Sequence, residues 1–249
     1  MITLNSDAAS TSLSKTTKAI LNEYGIKLNK NLGQNYLIDR NKRDQIIQFG
    51  NLTKDDVVLE IGPGIGTLTI ELAKRVKKVI AIEQDSNICQ ILENRLKKEN
   101  IDNVELINDD ALNVEFPKFD KIISNLPYQI SSPITFKFLN YDFQLAILMY
   151  QKEFASRMNG KVGSKDYSRL SAMLYFKCDV DLLTGVSAES FIPKPKVDST
   201  VVRLTPKLPE LNGQLKHLNI NEINEKDFKT YSKFVKALFQ HRNKKLKML

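Results

Sequence analysis

Five short apolar runs separated by longer helical stretches dominate the middle of this sequence. They lie at residues 57–61, 78–82, 104–107, 119–124 and 143–149. Strands that alternate with helices predict a parallel sheet with helices on both faces. Two later apolar runs, at 180–186 and 197–204, have no clear helix between them and predict an antiparallel closing pair. We therefore expect an α/β fold with a seven-stranded, mostly parallel sheet and an antiparallel closing strand.

The two ends of the chain carry most of its net charge of +8. Residues 57–206 are electrically neutral, whereas residues 207–249 carry an excess of +6. A basic appendage suits a polyanionic partner, because each neutralised phosphate releases counterions. The alternative is an ordinary lysine-rich surface. The composition changes at Pro206, so we predict an α/β domain over residues 1–206. A small basic helical domain, with two short helices within residues 221–249, is expected over residues 207–249.

Composition also narrows the class of protein. No stretch approaches the roughly 18 to 20 apolar residues that span a membrane, and residues 1–18 lack the apolar run of a signal peptide. We expect a cytoplasmic monomer. Cys89 and Cys178 lie in apolar stretches and are expected to be buried free thiols. With only two histidines, His217 and His241, no metal site is expected.

The first predicted strand runs into the glycine-rich turn Glu60-Ile-Gly62-Pro-Gly64-Ile-Gly66. Glycines let the backbone turn sharply and let a ligand approach the main chain. A dinucleotide site is the general alternative, but its glycine spacing differs and a carboxylate at Glu60 would repel a pyrophosphate. Glu60 can instead accept a hydrogen bond from an ammonium group. The turn therefore favours S-adenosylmethionine over a nicotinamide cofactor.

Carboxylates follow the next two predicted strands. Glu83 ends the second strand, where a carboxylate can accept both hydroxyls of a ribose. After the third strand, Asp110 can accept a hydrogen bond from the adenine amine of the cofactor, with Asp109 as the second choice. A charge at a helix start is the alternative role for Glu83.

The tetrapeptide Asn125-Leu126-Pro127-Tyr128 follows the fourth predicted strand, at the sheet edge where α/β enzymes place their chemistry. An adenine amine is a poor nucleophile, because its lone pair is delocalised into the ring. The Asn125 side-chain oxygen and the Leu126 or Pro127 carbonyl could draw it towards tetrahedral geometry. Tyr128 offers a face on which a flipped base can stack. Taken alone, the tetrapeptide is also compatible with a plain strand-end turn.

A proline-stiffened loop at residues 191–199 contributes one more candidate, Phe191. Phe191 could stack on the other face of the target base. The alternative is a core phenylalanine that precedes a turn.

These motifs together resemble one family, the ribosomal RNA adenine dimethyltransferases of the KsgA type, in their archaeal and eukaryotic branch. The similar segments lie at residues 33–37, 60–68, 125–128, 151–158, 163–170 and 191–199. They occur in the family's order and with its spacing over about residues 27–206.

The resemblance implies a class I methyltransferase fold and the transfer of four methyl groups from S-adenosylmethionine to two adjacent adenosines. These lie near the 3′ end of small-subunit ribosomal RNA, on a pre-ribosomal particle whose assembly the family assists. The resemblance also implies a cofactor site. Gln34, Asn35 and the Leu37 backbone would line the methionine end of the cofactor, and Gly62, Glu83, Asp110 and Asn125 would complete the site. Tyr128 and Phe191 would sandwich the adenine, and the basic C-terminal helices would hold the RNA. A basic family motif at residues 240–245 lies close to the end of the chain.

Two other functions remain open at this point. One is the antibiotic-resistance branch, which methylates an adenine in large-subunit ribosomal RNA and shares the core motifs. The segments at residues 151–158 and 163–170 favour the small-subunit branch instead. The other is a non-catalytic ribosome-assembly or RNA-binding factor, against which the intact tetrapeptide and Glu83 argue.

Overall fold

The computed structural model describes residues 12–26, 35–207 and 225–240. The strands are β1 (Tyr36–Leu37), β2 (Val57–Ile61), β3 (Lys78–Glu83), β4 (Val104–Asn108), β5 (Lys121–Asn125), β6 (Leu145–Gln151), β7 (Cys178–Val186), β8 (Phe191–Ile192) and β9 (Ser199–Pro206). The helices are α1 (Leu13–Glu23), α2 (Arg40–Phe49), α3 (Thr69–Ala73), α4 (Ser86–Lys98), α5 (Ser131–Phe138), α6 (Lys152–Met158), α7 (Arg169–Lys177) and α8 (Glu225–Gln240).

Seven strands form the central sheet in the order β4-β3-β2-β5-β6-β9-β7. Strands β2 to β6 pair in parallel, and β9 runs antiparallel to both of its neighbours. The predicted α/β fold, with its antiparallel closing strand, is confirmed. The order reverses between β2 and β5, so the carboxyl ends of these strands border a crevice where such folds bind ligands.

Neighbouring residues of the central strands supply apolar surface to opposite faces of the sheet. Leu59 and Ile122 belong to the cluster that includes Phe138 of α5. Val58 and Ile123 belong to the cluster on the other side, with helices α2 and α3. All four strand residues have no solvent exposure. A parallel strand covered on both faces reads as a continuous apolar run, which is why these strands are visible in the sequence.

Each of the first two helices begins at a polar residue whose side chain caps the helix N-terminus. Ser12 caps α1 by accepting from the backbone N–H of Lys15. Asp39 caps α2, since its Oδ1 accepts from the backbone N–H of Lys42 at 3.1 Å. This cap fixes the direction in which the chain leaves β1.

Near the C-terminus the structure describes residues 225–240 of the segment predicted to be helical. Where two short helices were expected within residues 221–249, one helix of 16 residues, α8, is continuous. No proline or glycine interrupts it. It packs on α7, where the Tyr231 hydroxyl donates to the Ala172 carbonyl at 3.0 Å. Residues 221–224 and 241–249, including the basic motif after Gln240, lie outside the described residues. The domain boundary at residue 206 stays a prediction.

No helix in the described ranges is both long and apolar enough to cross a membrane. Cys89 and Cys178 are buried and unbonded, as expected. Within the same ranges, no group of three or more histidine, cysteine, aspartate or glutamate side chains is arranged to hold a metal ion.

Candidate active site

A cavity opens at the carboxyl edge of strands β2, β3 and β5, where the sheet order reverses. Its lining includes eleven of the predicted site residues: Asn35, Leu37, Glu60, Gly62, Gly64, Glu83, Asp110, Asn125, Leu126, Pro127 and Tyr128. Asp109, the second choice to Asp110, also lies in the lining. The structure thus brings the predicted cofactor residues and the tetrapeptide into one concave site.

Two predicted residues that the structure describes, Gly66 and Phe191, are not part of this lining. Gly66 lies behind the turn, where an added Cβ would sit 2.5 Å from Leu92 Cδ1. Phe191 is 2% exposed and belongs to an apolar cluster with Leu37, the residue it pairs with across the β1–β8 ladder. This placement favours a core side chain for Phe191, and its stacking role stays a prediction. Gln34 lies outside the described residues.

The glycine turn brings the backbone close to the tetrapeptide at residues 125–128. Gly62 has a φ of +67°, and a Cβ there would lie 3.0 Å from both Cγ and Cδ of Pro127. Gly64 has a φ of +56° and would place a Cβ 2.9 Å from Cε1 of Tyr36. Side chains at these positions would be strained and would also fill the space beside the cavity. The turn is therefore a cradle for a ligand that touches the main chain.

Glu60 is the buried acid of the cavity. It is 2% exposed, and its Oε2 has no hydrogen-bond partner among the described residues. Burial, together with the nearby charge of Glu83, raises the pKa of Glu60 from 4.5 to about 8. An unpaired buried carboxylate is costly, and a ligand cation in the cavity would satisfy it. The ammonium group of S-adenosylmethionine fits this requirement.

The substitution Glu60→Gln should stabilise the ligand-free protein increasingly above about pH 4.5, with the full effect above about pH 8. The folded-state pKa of Glu60 is above its ordinary value, so the unfolded chain loses this proton first and the free energy of unfolding falls as pH rises from about 4.5 to about 8. At about pH 9 the melting temperature of the variant should be several degrees above that of wild type. At about pH 4 the two melting temperatures should be equal. Thermal unfolding at both values checks this. Equal melting temperatures at about pH 9 would contradict the burial of an ionisable Glu60.

Glu83 occupies the next position along the cavity. Its Oε2 accepts from the backbone N–H of Gly64 and its Oε1 from that of Asp85, each at 3.1 Å. Burial raises the pKa of Glu83, while these two hydrogen bonds act in the opposite direction. The backbone thus fixes the orientation of the carboxylate at the end of β3. Lone pairs remain for hydroxyl groups of a ligand.

Asp110 lies farther along, after β4. Its Oδ1 accepts from the backbone N–H of Leu112 at 2.9 Å, and its Oδ2 from the Asn113 side chain at 3.2 Å. Asp109 Oδ1 accepts from the backbone N–H of Asp110 at 2.7 Å. Both carboxylates hold the turn that closes this end of the cavity.

The tetrapeptide is held on both sides. The Asn125 side-chain amide donates to the Asn35 carbonyl at 3.2 Å. The Pro127 carbonyl accepts from the backbone N–H of Ile130 at 3.2 Å. The Tyr128 hydroxyl lies 2.6 Å from the Ser199 hydroxyl at the start of β9. The loop is thereby fixed in place before any ligand is bound.

Two residues of the site were not identified from the sequence, Tyr36 and Ser199. Tyr36 lines the cavity and Ser199 holds the ring of Tyr128. Both lie within segments that resemble family motifs, 33–37 and 191–199, but neither residue type by itself indicates a ligand. Their roles depend on contacts between distant parts of the chain.

The sheet order, the glycine cradle and the carboxylates along the cavity define a class I methyltransferase that uses S-adenosylmethionine. Residues 25–249 match the family described as ribosomal RNA adenine dimethylase. The chain belongs to this family, and it is an S-adenosylmethionine-dependent ribosomal RNA adenine dimethyltransferase.

Individual relatives agree with this assignment. A probable ribosomal RNA small subunit methyltransferase A from Methanosphaera stadtmanae is 51% identical over 231 residues, which cover 93% of this chain and 80% of the relative. A dimethyladenosine transferase from Plasmodium falciparum has a similar crystal structure. Its TM-score is 0.73 at 37% identity, over 84% of this chain and 72% of that one. The 23S ribosomal RNA methyltransferase ErmE gives a TM-score of 0.67 at 30% identity, over 84% and 80% of the two chains.

Proposed function

We propose that the chain methylates the exocyclic amine of two adjacent adenosines near the 3′ end of small-subunit ribosomal RNA. We further propose that it acts in the cytoplasm as a monomer, on a pre-ribosomal particle whose biogenesis it assists. The observation that carries the reaction is the contact between the two halves of the site. Gly62 of the cofactor turn lies against Pro127, and Asn125 is tied to Asn35. A methyl donor in the cradle would therefore lie next to the tetrapeptide.

We assign the cofactor residues by their position along the cavity. Glu60 and the Asn35 region would face the methionine end, with Leu37, Gly62, Gly64 and Gly66 shaping the turn beneath it. Glu83 would accept from the ribose hydroxyls, and Asp110 from the adenine amine. Gln34 is assigned to the methionine end from its motif position. The neutral Glu60 of the empty protein would lose its proton when an ammonium group binds beside it.

The target amine would be held by two acceptors. The bound cofactor supplies an electrophilic methyl group on a positively charged sulfur. The Asn125 oxygen and one backbone carbonyl would accept the two N–H groups of the adenine and localise the nitrogen lone pair towards that methyl group. The Pro127 carbonyl already accepts from Ile130, so we assign the second acceptor to Leu126. Methyl transfer would break the sulfur–methyl bond and move the positive charge to the adenine nitrogen, which would then release one of its protons to solvent. That proton is strongly acidic, so no side chain of shifted pKa is needed as a base.

Tyr128 would support the base from one face. Its hydroxyl is held by Ser199, so the ring cannot rotate freely in its loop. A fixed aromatic ring offers a stacking surface at a low entropic cost. On the basis of its motif position, Phe191 is proposed to support the opposite face of the base. To reach the base, the Phe191 side chain would have to leave the β1–β8 region.

The small-subunit substrate rests on the relatives, since the protein from Methanosphaera stadtmanae carries that description at 51% identity. The likeness to ErmE makes large-subunit RNA the second candidate.

A test is primer extension on RNA from unmethylated small and large subunits after incubation with the protein and S-adenosylmethionine. Two methyl groups on the adenine amine remove its base-pairing hydrogens, so reverse transcription stops there. We expect stops at two adjacent adenosines near the 3′ end of the small-subunit RNA. A stop only in the large-subunit RNA would contradict the proposal.

A further inference from the structure

The Tyr36 hydroxyl is a buried polar group without a partner in the cofactor cavity. Tyr36 is 6% exposed, and its hydroxyl oxygen finds no hydrogen-bond partner among the described residues. Leaving a buried hydroxyl unpaired destabilises the folded protein. Tyr36 lines the cavity, as does Glu60, whose Oε2 is likewise unpaired. The ammonium group proposed for Glu60 leaves the Tyr36 hydroxyl unexplained.

The ring of Tyr36 is held firmly in place. Its backbone pairs with Ile192 across the β1–β8 ladder, and its side chain packs in a cluster with Ile65 and Ile88. The ring edge also lies against the glycine turn, close enough that a Cβ on Gly64 would be 2.9 Å from Cε1. The hydroxyl position is therefore set by the fold rather than by a flexible side chain.

The same glycine connects Tyr36 to Glu83. Cε1 is adjacent to the ring carbon that carries the hydroxyl, and Gly64 donates its N–H to Glu83 Oε2 at 3.1 Å. The phenol end of Tyr36 and the Glu83 carboxylate thus meet at one residue of the turn. Burial, and then the negative charges of Glu83 and Asp85, raise the pKa of Tyr36, so the phenol keeps its proton at physiological pH.

A carboxylate and a phenol have complementary roles towards a sugar hydroxyl. The carboxylate can only accept, whereas the phenol O–H can donate. A ribose hydroxyl has a hydrogen to give and an oxygen that can accept, so it can bond to both groups at once. We propose that the Tyr36 hydroxyl donates a hydrogen bond to a ribose hydroxyl oxygen of the cofactor, completing a Tyr36–ribose–Glu83 chain. This inference rests on the proposed assignment of Glu83 to the ribose.

The test is calorimetric binding of S-adenosylhomocysteine and of its 2′-deoxy and 3′-deoxy analogues to wild type and to Tyr36→Phe. Tyr36→Phe removes one neutral hydrogen bond to the ligand. Its affinity for S-adenosylhomocysteine should therefore be about five- to tenfold lower than that of wild type. For the analogue that lacks the contacted oxygen, wild type and variant should bind equally. The ligand-free variant should melt at or above the wild-type temperature, because an unpaired buried hydroxyl has been removed. A purely structural role for the hydroxyl would lower that temperature instead.

Tyr150→Phe is the matched control. Tyr150 is also fully buried, but its hydroxyl lies 2.7 Å from Thr135 Oγ1 and outside the cavity. Its removal should leave the affinity for all three ligands unchanged. Equal affinity of wild type and Tyr36→Phe for S-adenosylhomocysteine would overturn the inference, as would an equal loss for all three ligands. If wild type binds both deoxy analogues as tightly as S-adenosylhomocysteine, the ribose assignment of Glu83 fails, and the Tyr36 inference fails with it.

Discussion

Asn125→Ala should abolish detectable methyl transfer while the protein stays folded. The substitution removes the side-chain oxygen that we assign to the target amine, and removing one preorganised polar group of this kind lowers kcat by about 100- to 1,000-fold. It also removes the hydrogen bond from Asn125 to the Asn35 carbonyl. That loss costs about 1 kcal/mol and a few degrees of melting temperature. Single-turnover transfer at saturating S-adenosylmethionine, together with thermal unfolding, measures both effects.

Asn140→Ala provides the control for this experiment. Asn140 is an exposed asparagine just after α5, and its side chain makes only a 3.4 Å contact with the Phe136 carbonyl. Its removal should leave transfer and stability near wild type. If Asn125→Ala turns over within about threefold of wild type, the proposed catalytic role of Asn125 is wrong. The acceptor role would then need another group.

Glu83→Ala should weaken S-adenosylmethionine binding by about 100-fold. The variant loses the carboxylate assigned to the ribose hydroxyls, and hydrogen bonds to a charged group contribute about 1.5–3 kcal/mol each. It also loses the acceptor that fixes the Gly64 and Asp85 backbone, so the glycine turn loosens. Titration calorimetry with S-adenosylmethionine gives the affinity directly. Glu83→Gln, which keeps one acceptor oxygen, should lie between wild type and Glu83→Ala.

A control variant that loses one negative charge outside the cavity distinguishes the loss of a ligand contact from an effect of net charge on affinity. Glu93 is exposed on α4, so Glu93→Ala removes one negative charge without touching the cavity. Its affinity for S-adenosylmethionine should match wild type. A similar loss in Glu93→Ala and Glu83→Ala would mean that net charge, rather than contact with the ribose, sets the affinity.

The sheet was predictable because its strands are buried on both faces. Residues 57–61 and 78–82 therefore read as mostly apolar runs, with Glu60 and Lys78 as their charged members, and each is followed by a polar or glycine-rich segment that marks the carboxyl edge. The cavity residues on these edges, Glu60, Glu83 and Asn125, followed from the strand ends.

The parts that escaped prediction depend on pairing between distant segments. Strands β1 and β8 have two residues each, too few to show a periodicity, and their pairing places Phe191 against Leu37 in the core. The same pairing fixes Tyr36 in the cavity. The Tyr128–Ser199 hydrogen bond joins the tetrapeptide to the start of β9, and only the folded sheet brings these two segments together. The sequence contains these residues but no local signal of their neighbours.

The most direct test of the central claim is nucleoside analysis of the reaction product. Unmethylated small subunits would be incubated with radiolabelled S-adenosylmethionine and wild type or Asn125→Ala, and the RNA digested to nucleosides for chromatography and mass measurement. We expect label in dimethyladenosine with wild type and none with the variant. Label in a methylated pyrimidine or on ribose, or no label although the cofactor binds, would contradict it.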